Sequence, residues 1–135
     1  GLRFFSVYGP HEEAKGPYAN MITQFLWGMK AREQPVLFGD GTQTRDFTYV
    51  KDIVAALLLA SEKGTGIFNA GTGKAFSFNY LVDLINSCLG TDLKPIYREN
   101  PIKNYVMHTL ADTTKINELG FEAKYSLDDG IKRII

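Results

Sequence analysis

The sequence predicts an α/β domain. Two observations carry this. Short apolar runs rich in aromatic and β-branched residues alternate with longer segments whose apolar residues recur at helical spacing. The 135 residues are also 44% hydrophobic and 13% aromatic, enough to bury one domain's core. Taken in order, residues 2–8 (LRFFSVY) read as a short buried strand that ends at Gly9-Pro10. Residues 11–18 carry charges, Gly16 and Pro17, and read as loop. Residues 20–32 place Met21, Ile22, Phe25, Leu26 and Met29 on one helical face. Residues 35–38 read as a strand, with Gly39-Asp40-Gly41 as the turn after it. Residues 45–50 read as another strand and 51–63 as a helix stopped at Gly64. Residues 66–70 are strand. Ser77 caps a helix whose face is Phe78, Leu81, Val82, Ile85 and Cys88, and Gly90 ends it. Residues 93–98 are strand and 99–104 loop. Asp112 caps a short helix that runs to Leu119, and Ser126-Leu127-Asp128-Asp129 resembles a capping box with Asp in the last place.

Fifteen basic and fifteen acidic residues give zero net charge. This offers no support for a nucleic-acid or membrane-surface binder, both of which usually carry a basic excess. The longest apolar run, Ile53 to Ala60, is far short of the ~20 residues that span a bilayer. The single cysteine, Cys88, excludes an internal disulfide and a multi-cysteine zinc site. No signal peptide is visible, so a cytoplasmic location is the expectation.

The motifs of nucleotide chemistry start and then fail. Gly39-x-Gly41 and Gly71-x-Gly73 lack the third glycine of a dinucleotide fingerprint, because Thr44 and Phe76 stand there. Their expected roles are turn and packing. Gly73-Lys74 lacks the earlier glycine of a phosphate loop, since Phe68 occupies it. None of the seven tyrosines has Lys four residues on, so the Tyr-x-x-x-Lys acid–base pair of short-chain dehydrogenases is absent. His11 and His108 have no metal-ligand spacing, and Cys88 lies on an apolar face as a core residue. Arg45 remains, with a fork of donors suited to a diphosphate; a structural pair with Asp46 is the alternative. Asn20, Lys103, Asn104 and Tyr105 are polar residues near element ends, suited to surface or site roles alike.

Four segments carry a resemblance: LRFFSVYGP (2–10), PVLFGDGTQTRDFTYVKDIV (35–54), IFNAGTGKAFSF (67–78) and LADTTKINELGF (110–121). They are similar to the C-terminal half of extended short-chain dehydrogenases/reductases. More narrowly, they resemble the NAD-dependent nucleotide-sugar epimerases and dehydratases, the UDP-galactose 4-epimerase type among them. The resemblance implies the C-terminal part of a Rossmann-like fold with its smaller substrate-binding α/β domain. Residues 1–10 would be a late strand of the nucleotide-binding sheet. Residues 11–135 would be mainly the sugar-nucleotide domain, with elements returning to that sheet. It also implies that the glycine-rich NAD loop and the Tyr-x-x-x-Lys pair lie upstream. The opening Gly1, with no initiator Met, would then be a truncation point in a much longer parent. Parents of this kind are commonly homodimers, but the usual dimer helices lie upstream, so the resemblance implies nothing specific about assembly for these residues.

Carried over by residue, the resemblance puts Phe4 and Phe5 on the strand whose backbone passes near the nicotinamide. Ser6 stands where the family usually has Asn, which weakens or remakes a contact to the diphosphate. Asn20 is implied to bind the diphosphate near a helix start. Val36, Leu37 and Phe38 line the base, partly through main chain, and Arg45 clamps the diphosphate. Around residue 102, PIKNYVMHTLAD replaces the Arg-x-Gly-Asp of many UDP-sugar epimerases. Lys103 is the nearest cation there. Tyr105 and the GPHEEAKG loop (9–16) resemble ADP-heptose epimerases, so uridine, adenosine and guanosine all stay open as the base. The activity implied is NAD-dependent epimerisation of a nucleotide-diphosphate sugar, a UDP-sugar first, with this portion inactive alone. Dehydration or reduction of such a sugar, and a non-catalytic sugar-nucleotide module, are the alternatives. An isolated chain is expected to associate through the exposed edge of its first strand.

Overall fold

A computed structural model describes all of residues 1–135. Eight short strands and five α-helices alternate along the chain, a mixed α/β architecture. The strands are β1 (Leu2–Phe4), β2 (Val7–Tyr8), β3 (Val36–Phe38), β4 (Thr44–Arg45), β5 (Thr48–Tyr49), β6 (Phe68–Ala70), β7 (Phe76–Ser77) and β8 (Ile96–Arg98). The helices are α1 (Met21–Lys30), α2 (Val50–Lys63), α3 (Phe78–Leu89), α4 (Thr114–Asn117) and α5 (Leu127–Lys132). The strands join in pairs: β1 with β6, β2 with β5 and β3 with β8 run parallel, and β4 with β7 antiparallel.

The helices form where their caps and apolar periods say. Asn20 Oδ1 accepts the Ile22 N–H at 3.0 Å and starts α1. Ser77 Oγ accepts the Tyr80 N–H at 3.1 Å and starts α3, which Gly90 ends in the left-handed conformation. The buried faces of the two helices meet, with the rings of Phe25 and Phe78 edge to face at 6.1 Å. Around them lies the main core, with Tyr8, Leu37, Phe47, Tyr49, Leu127 and Ile131. A second, smaller core gathers Ile53, Ala56, Phe68, Ala70, Ile116 and Phe121 between α2, β6 and α4.

Several expectations need correction. Residues 2–8 are not one buried strand. The chain breaks at Phe5–Ser6, where Ser6 takes a φ of 26°, and passes from β6 as partner to β5. Phe4 is 52% exposed, and β1 has a neighbour on one edge only. Residues 45–50 are likewise split, into β4 and β5, with the buried Asp46 between them. Residues 13–18 form a 3-10 segment rather than plain loop. β7 was not foreseen, and the strand over 93–98 is confined to its last three residues. Thr113, not Asp112, is the cap residue of α4; Asp112 Oδ1 accepts the Thr114 N–H at 3.0 Å instead. In the Ser126–Asp129 box the hydroxyl accepts the Asp129 N–H at 3.1 Å as expected. The Asp129 carboxylate, too short to reach back to the Ser126 N–H, takes the Ser126 hydroxyl at 2.6 Å.

The open edge of β1 lies beside the exposed Phe4 and Ile67, and α2 exposes Val54, Leu57 and Leu58. As an isolated polypeptide, residues 1–135 should therefore self-associate. Light scattering over a concentration series measures this, and a monodisperse monomer at high concentration contradicts it.

Candidate functional site

Along residues 43–47 every second side chain faces one cleft, as in a strand. Gln43, Arg45 and Phe47 reach one side, where they line a cleft of about 300 Å³. The rings of Phe38, Phe78 and Tyr105 wall it, and Ser6, Met21, Val36 and Ile102 complete it. Arg45 is the single charged side chain in this mostly apolar lining. Its Cζ lies 5.6 Å from the Phe78 ring centroid and 5.2 Å from that of Tyr105, within cation–π range of both.

The Arg45 guanidinium is held from below by main chain. Nη1 donates to the carbonyls of Thr44 at 2.7 Å and Met107 at 3.2 Å, and Nη2 to that of Val106 at 2.7 Å. A guanidinium has five N–H donors. Three are spent, which leaves Nε–H and one on Nη2 without a protein acceptor.

Asp46 is not the partner of Arg45, which removes the structural-pair alternative. Its carboxylate turns the other way and is fully buried. Oδ1 accepts from the Thr72 N–H at 2.9 Å and the Thr72 hydroxyl at 2.6 Å. Oδ2 accepts from the Gly73 N–H at 2.9 Å and the Ala111 N–H at 3.2 Å. The Gly71-x-Gly73 turn is thus a cradle for an internal carboxylate, the turn-and-packing role expected of it. A Cβ at Gly71 would collide with Ala111 and lie 2.8 Å from Asp46 Oδ2, so the approach requires glycine.

β3 offers main chain to the cleft. Ile96 N–H donates to Pro35 C=O and Gly39 N–H to Arg98 C=O, both at 2.8 Å, so odd-numbered residues face β8. Val36 and Phe38 face the opposite edge, where no strand pairs. Phe38 C=O accepts from Gln43 Nε2 at 3.0 Å. Gln43 is 1% exposed, and its Oε1 has no partner.

Of the residues singled out from sequence, Ser6, Val36, Phe38, Arg45 and Tyr105 converge on this cleft. Leu37 turns into the main core. Asn20 lies one step outside, its amide spent: Nδ2 donates to Val7 C=O at 3.0 Å and Ser6 Oγ at 3.2 Å, and Oδ1 caps α1. Ser6 Oγ therefore accepts from Asn20 and keeps its own proton to donate. Lys103 is exposed on the loop above. Phe4 and Phe5 sit at the β1 end, with the Phe5 N–H donating to Ala70 C=O at 3.1 Å. Gln43, Phe47 and Phe78 were missed, as were Met21 and Ile102. The alternation from Arg45 would have found the first two, and the position just after the Ser77 cap the third. Cys88 packs against the core; burial, with Asp128 nearby, pushes its thiol up, as suits a core residue.

The loop beneath the cleft is anchored by Glu12, which sequence reading also missed. It is 4% exposed. Lys15 Nζ donates to it at 2.6 Å and the Asn20 N–H at 3.3 Å, and the Thr23 hydroxyl also donates to it. Burial alone would raise its pKa, but these hydrogen bonds outweigh burial and hold it below its ordinary value. A carboxyl whose pKa is lower folded than unfolded stabilises the fold above its unfolded value, about 4.3. That contribution is lost as pH falls from there through the folded value. The stability difference between wild type and Glu12→Gln should therefore be smaller at about pH 3 than at pH 7, with the loss falling below about 4.3. Urea midpoints at the two pH values measure it, and a constant difference overturns it.

A second cavity of about 260 Å³ lies on the other side of Phe47, lined by Lys74, Lys124 and Asp129 among others; it shares Phe47 with the cleft and Thr72 with the Asp46 cradle. No group of His, Cys, Asp and Glu is placed to hold a metal, and no helix is long and apolar enough to cross a membrane.

Comparison with known proteins gives three kinds of match. The model of the NAD dependent epimerase/dehydratase family matches residues 1–71. A Methanocaldococcus jannaschii protein, itself assigned only by inference as a UDP-glucose 4-epimerase, is 39% identical over 134 residues, covering 99% of this chain and 43% of that one. The ADP-L-glycero-D-manno-heptose-6-epimerase of Fusobacterium nucleatum is 34% identical over 157 residues, covering 98% of this chain and 46% of that one. The crystal structure of Thermotoga maritima UDP-glucose 4-epimerase with UDP-glucose superposes with a TM-score of 0.90 at 41% identity, over 98% of this chain and 43% of that one. The chain thus spans less than half the length of the curated relatives it matches.

Proposed function

The chain belongs to the NAD dependent epimerase/dehydratase family, and on that premise we propose that its cleft holds the nucleoside diphosphate of a UDP-sugar within a longer NAD-dependent epimerase. One observation carries the reading. Arg45 presents two unspent N–H donors in an aromatic-walled cleft bordered by the open edge of β3. A nucleoside diphosphate has the matching parts: a planar base for the apolar walls and strand edge, and a dianion for the guanidinium. In this reading Val36 and Phe38 meet the base through main chain, while the Ser6 hydroxyl and Arg45 meet the phosphates. Asn20 acts by fixing Ser6 and the start of α1. Lys103 adds charge from the loop above. The likeness to the Thermotoga enzyme bound to UDP-glucose supports uridine over the other bases.

The residues present do not fit the main binding of NAD. The chain has no glycine-rich phosphate turn and no Tyr-x-x-x-Lys pair. Phe4 to Ser6 offer an edge: the Phe5 N–H is spent on Ala70, and the Ser6 C=O accepts the Thr48 N–H at 3.2 Å. We place dinucleotide binding mainly in the rest of the full-length protein, with Phe4 and Phe5 flanking the nicotinamide. NAD, when bound, supplies removal and return of a hydride, which passes the sugar through a keto form. The work of this chain is to hold the substrate still while that happens. The small core joining β1, α2, β6 and α4 supports residues 1–10 as part of the cofactor domain, with those later elements returning to it.

A calorimetric panel of UDP, ADP and GDP against the full-length protein tests the reading. UDP should bind in preference, and UDP-glucose should be epimerised by the full-length protein but not by residues 1–135. Absence of saturable binding by all three nucleotides overturns it. Release of water from the sugar instead of epimerisation would assign a dehydratase acting through the same cleft.

A further inference from the structure

Residues 99–107 leave β8 at Arg98 and rejoin the body where Thr44 bridges His108. Between these anchors the loop stands largely clear of the fold. The Ile102 N–H is satisfied locally by Asn100 Oδ1 at 3.0 Å, Asn104 takes a φ of 58°, and Ile102 and Val106 are exposed. Three things hold its inner turn: the Thr44 N–H on Met107 C=O at 2.8 Å, the Arg45 N–H groups on the Val106 and Met107 carbonyls, and the Tyr105 ring on the guanidinium.

We propose that Arg45 is a positioning residue for this loop as well as an anion ligand, so that nucleotide binding and loop order are coupled through one guanidinium. The inference rests on the nucleoside-diphosphate reading of the cleft. The donors held by Thr44, Val106 and Met107 fix the plane of the guanidinium, and the two left over take their direction from it. A phosphate on those two donors fixes the same plane and so steadies the carbonyls on the other side. Coupling of this kind is reciprocal: what the ligand gives the loop, the loop gives the ligand. Because Ile102 and Tyr105 are walls of the cleft, an ordered loop also closes the apolar surface around the base. Lysine, a point charge without the planar fork, cannot serve both sides.

Trypsin cleavage at the exposed Lys103–Asn104 bond of the full-length protein, followed by mass spectrometry, reads loop order. Saturating UDP should slow it by ~5-fold or more. Val106→Gly with Met107→Gly loosens the loop at two side chains that lie outside the cleft lining. This double variant should bind UDP ~5-fold or more weakly and, at equal saturation, lose the protection at Lys103. Retained protection in the variant would mean that UDP merely shields the bond, and overturns the coupling. UDP binding to wild type with no change in cleavage overturns the coupling and leaves the cleft reading standing. If none of UDP, ADP and GDP binds wild type, both fall together. Should the variant fail to fold, cleavage of wild type and Arg45→Lys without nucleotide still decides. Arg45→Lys should be cut faster at this bond, and equal rates refute the latch.

Discussion

Arg45→Ala in the full-length protein should weaken nucleotide binding by about 10- to 100-fold, corresponding to ~1.5–3 kcal/mol for hydrogen bonds to a charged group. The size follows from what the side chain does in place. Two of its donors have no protein acceptor, and the cleft holds no other cation to substitute for it. Alanine also removes the cation that lies over the rings of Tyr105 and Phe78. Calorimetric titration with UDP measures the loss, and a variant that binds as tightly as wild type removes Arg45 from the site. The structure also shows why Arg45→Lys should fall short of wild type, since an ammonium cannot hold two backbone carbonyls and grip a phosphate in fixed relative orientation.

Asp46→Ala should cost ~3 kcal/mol or more of folding stability. The carboxylate satisfies three backbone N–H groups, those of Thr72, Gly73 and Ala111, inside the protein. Each buried donor left unpaired costs about 1–3 kcal/mol. Asp46→Asn should recover only part of this, because one amide oxygen cannot accept from donors on both sides and the NH₂ group would face N–H groups. Urea unfolding of the full-length protein gives the stability, and a loss below about 1 kcal/mol for the alanine variant would show that water or relaxation meets the donors. Function should suffer with it. Asp46 adjoins Arg45 in the chain and holds Ala111, at the end of the segment that supplies carbonyls to the guanidinium.

Glu12 is held by Lys15, the Thr23 hydroxyl and the Asn20 N–H, and Asp46 by three main-chain N–H groups and the Thr72 hydroxyl. Neither role was visible in the residue order. Asp46 stood next to Arg45 and invited a pairing that the strand's alternation forbids: neighbouring side chains of an extended segment point to opposite sides. Glu12 lay in a stretch read as loop, and its partners Asn20 and Thr23 come from the next helix.

The helices α1 and α3 were legible because their information is local. A capping side chain, an apolar face at 3.6-residue period and a stopping glycine all act within one segment. The alternation of elements gave the α/β class, and the four matching segments pointed to the family. The same locality made Arg45 stand out, as the arginine beside the aromatic and β-branched Phe47-Thr48-Tyr49-Val50. Strand limits were not legible, because a strand exists only where a partner meets it. Residues 2–8 and 45–50 each look like one strand in sequence and are divided in space between different partners. The cleft was legible only in part for the same reason. Its walls come from five separated stretches, near residues 6, 21, 36–47, 78 and 102–105. Sequence alone singled out part of the cleft, the guanidinium fork of Arg45 with Ser6, Val36, Phe38 and Tyr105. Tertiary structure decided which two of that fork's donors remain for a ligand, because the other three are committed to carbonyls, two of them some 60 residues away along the chain.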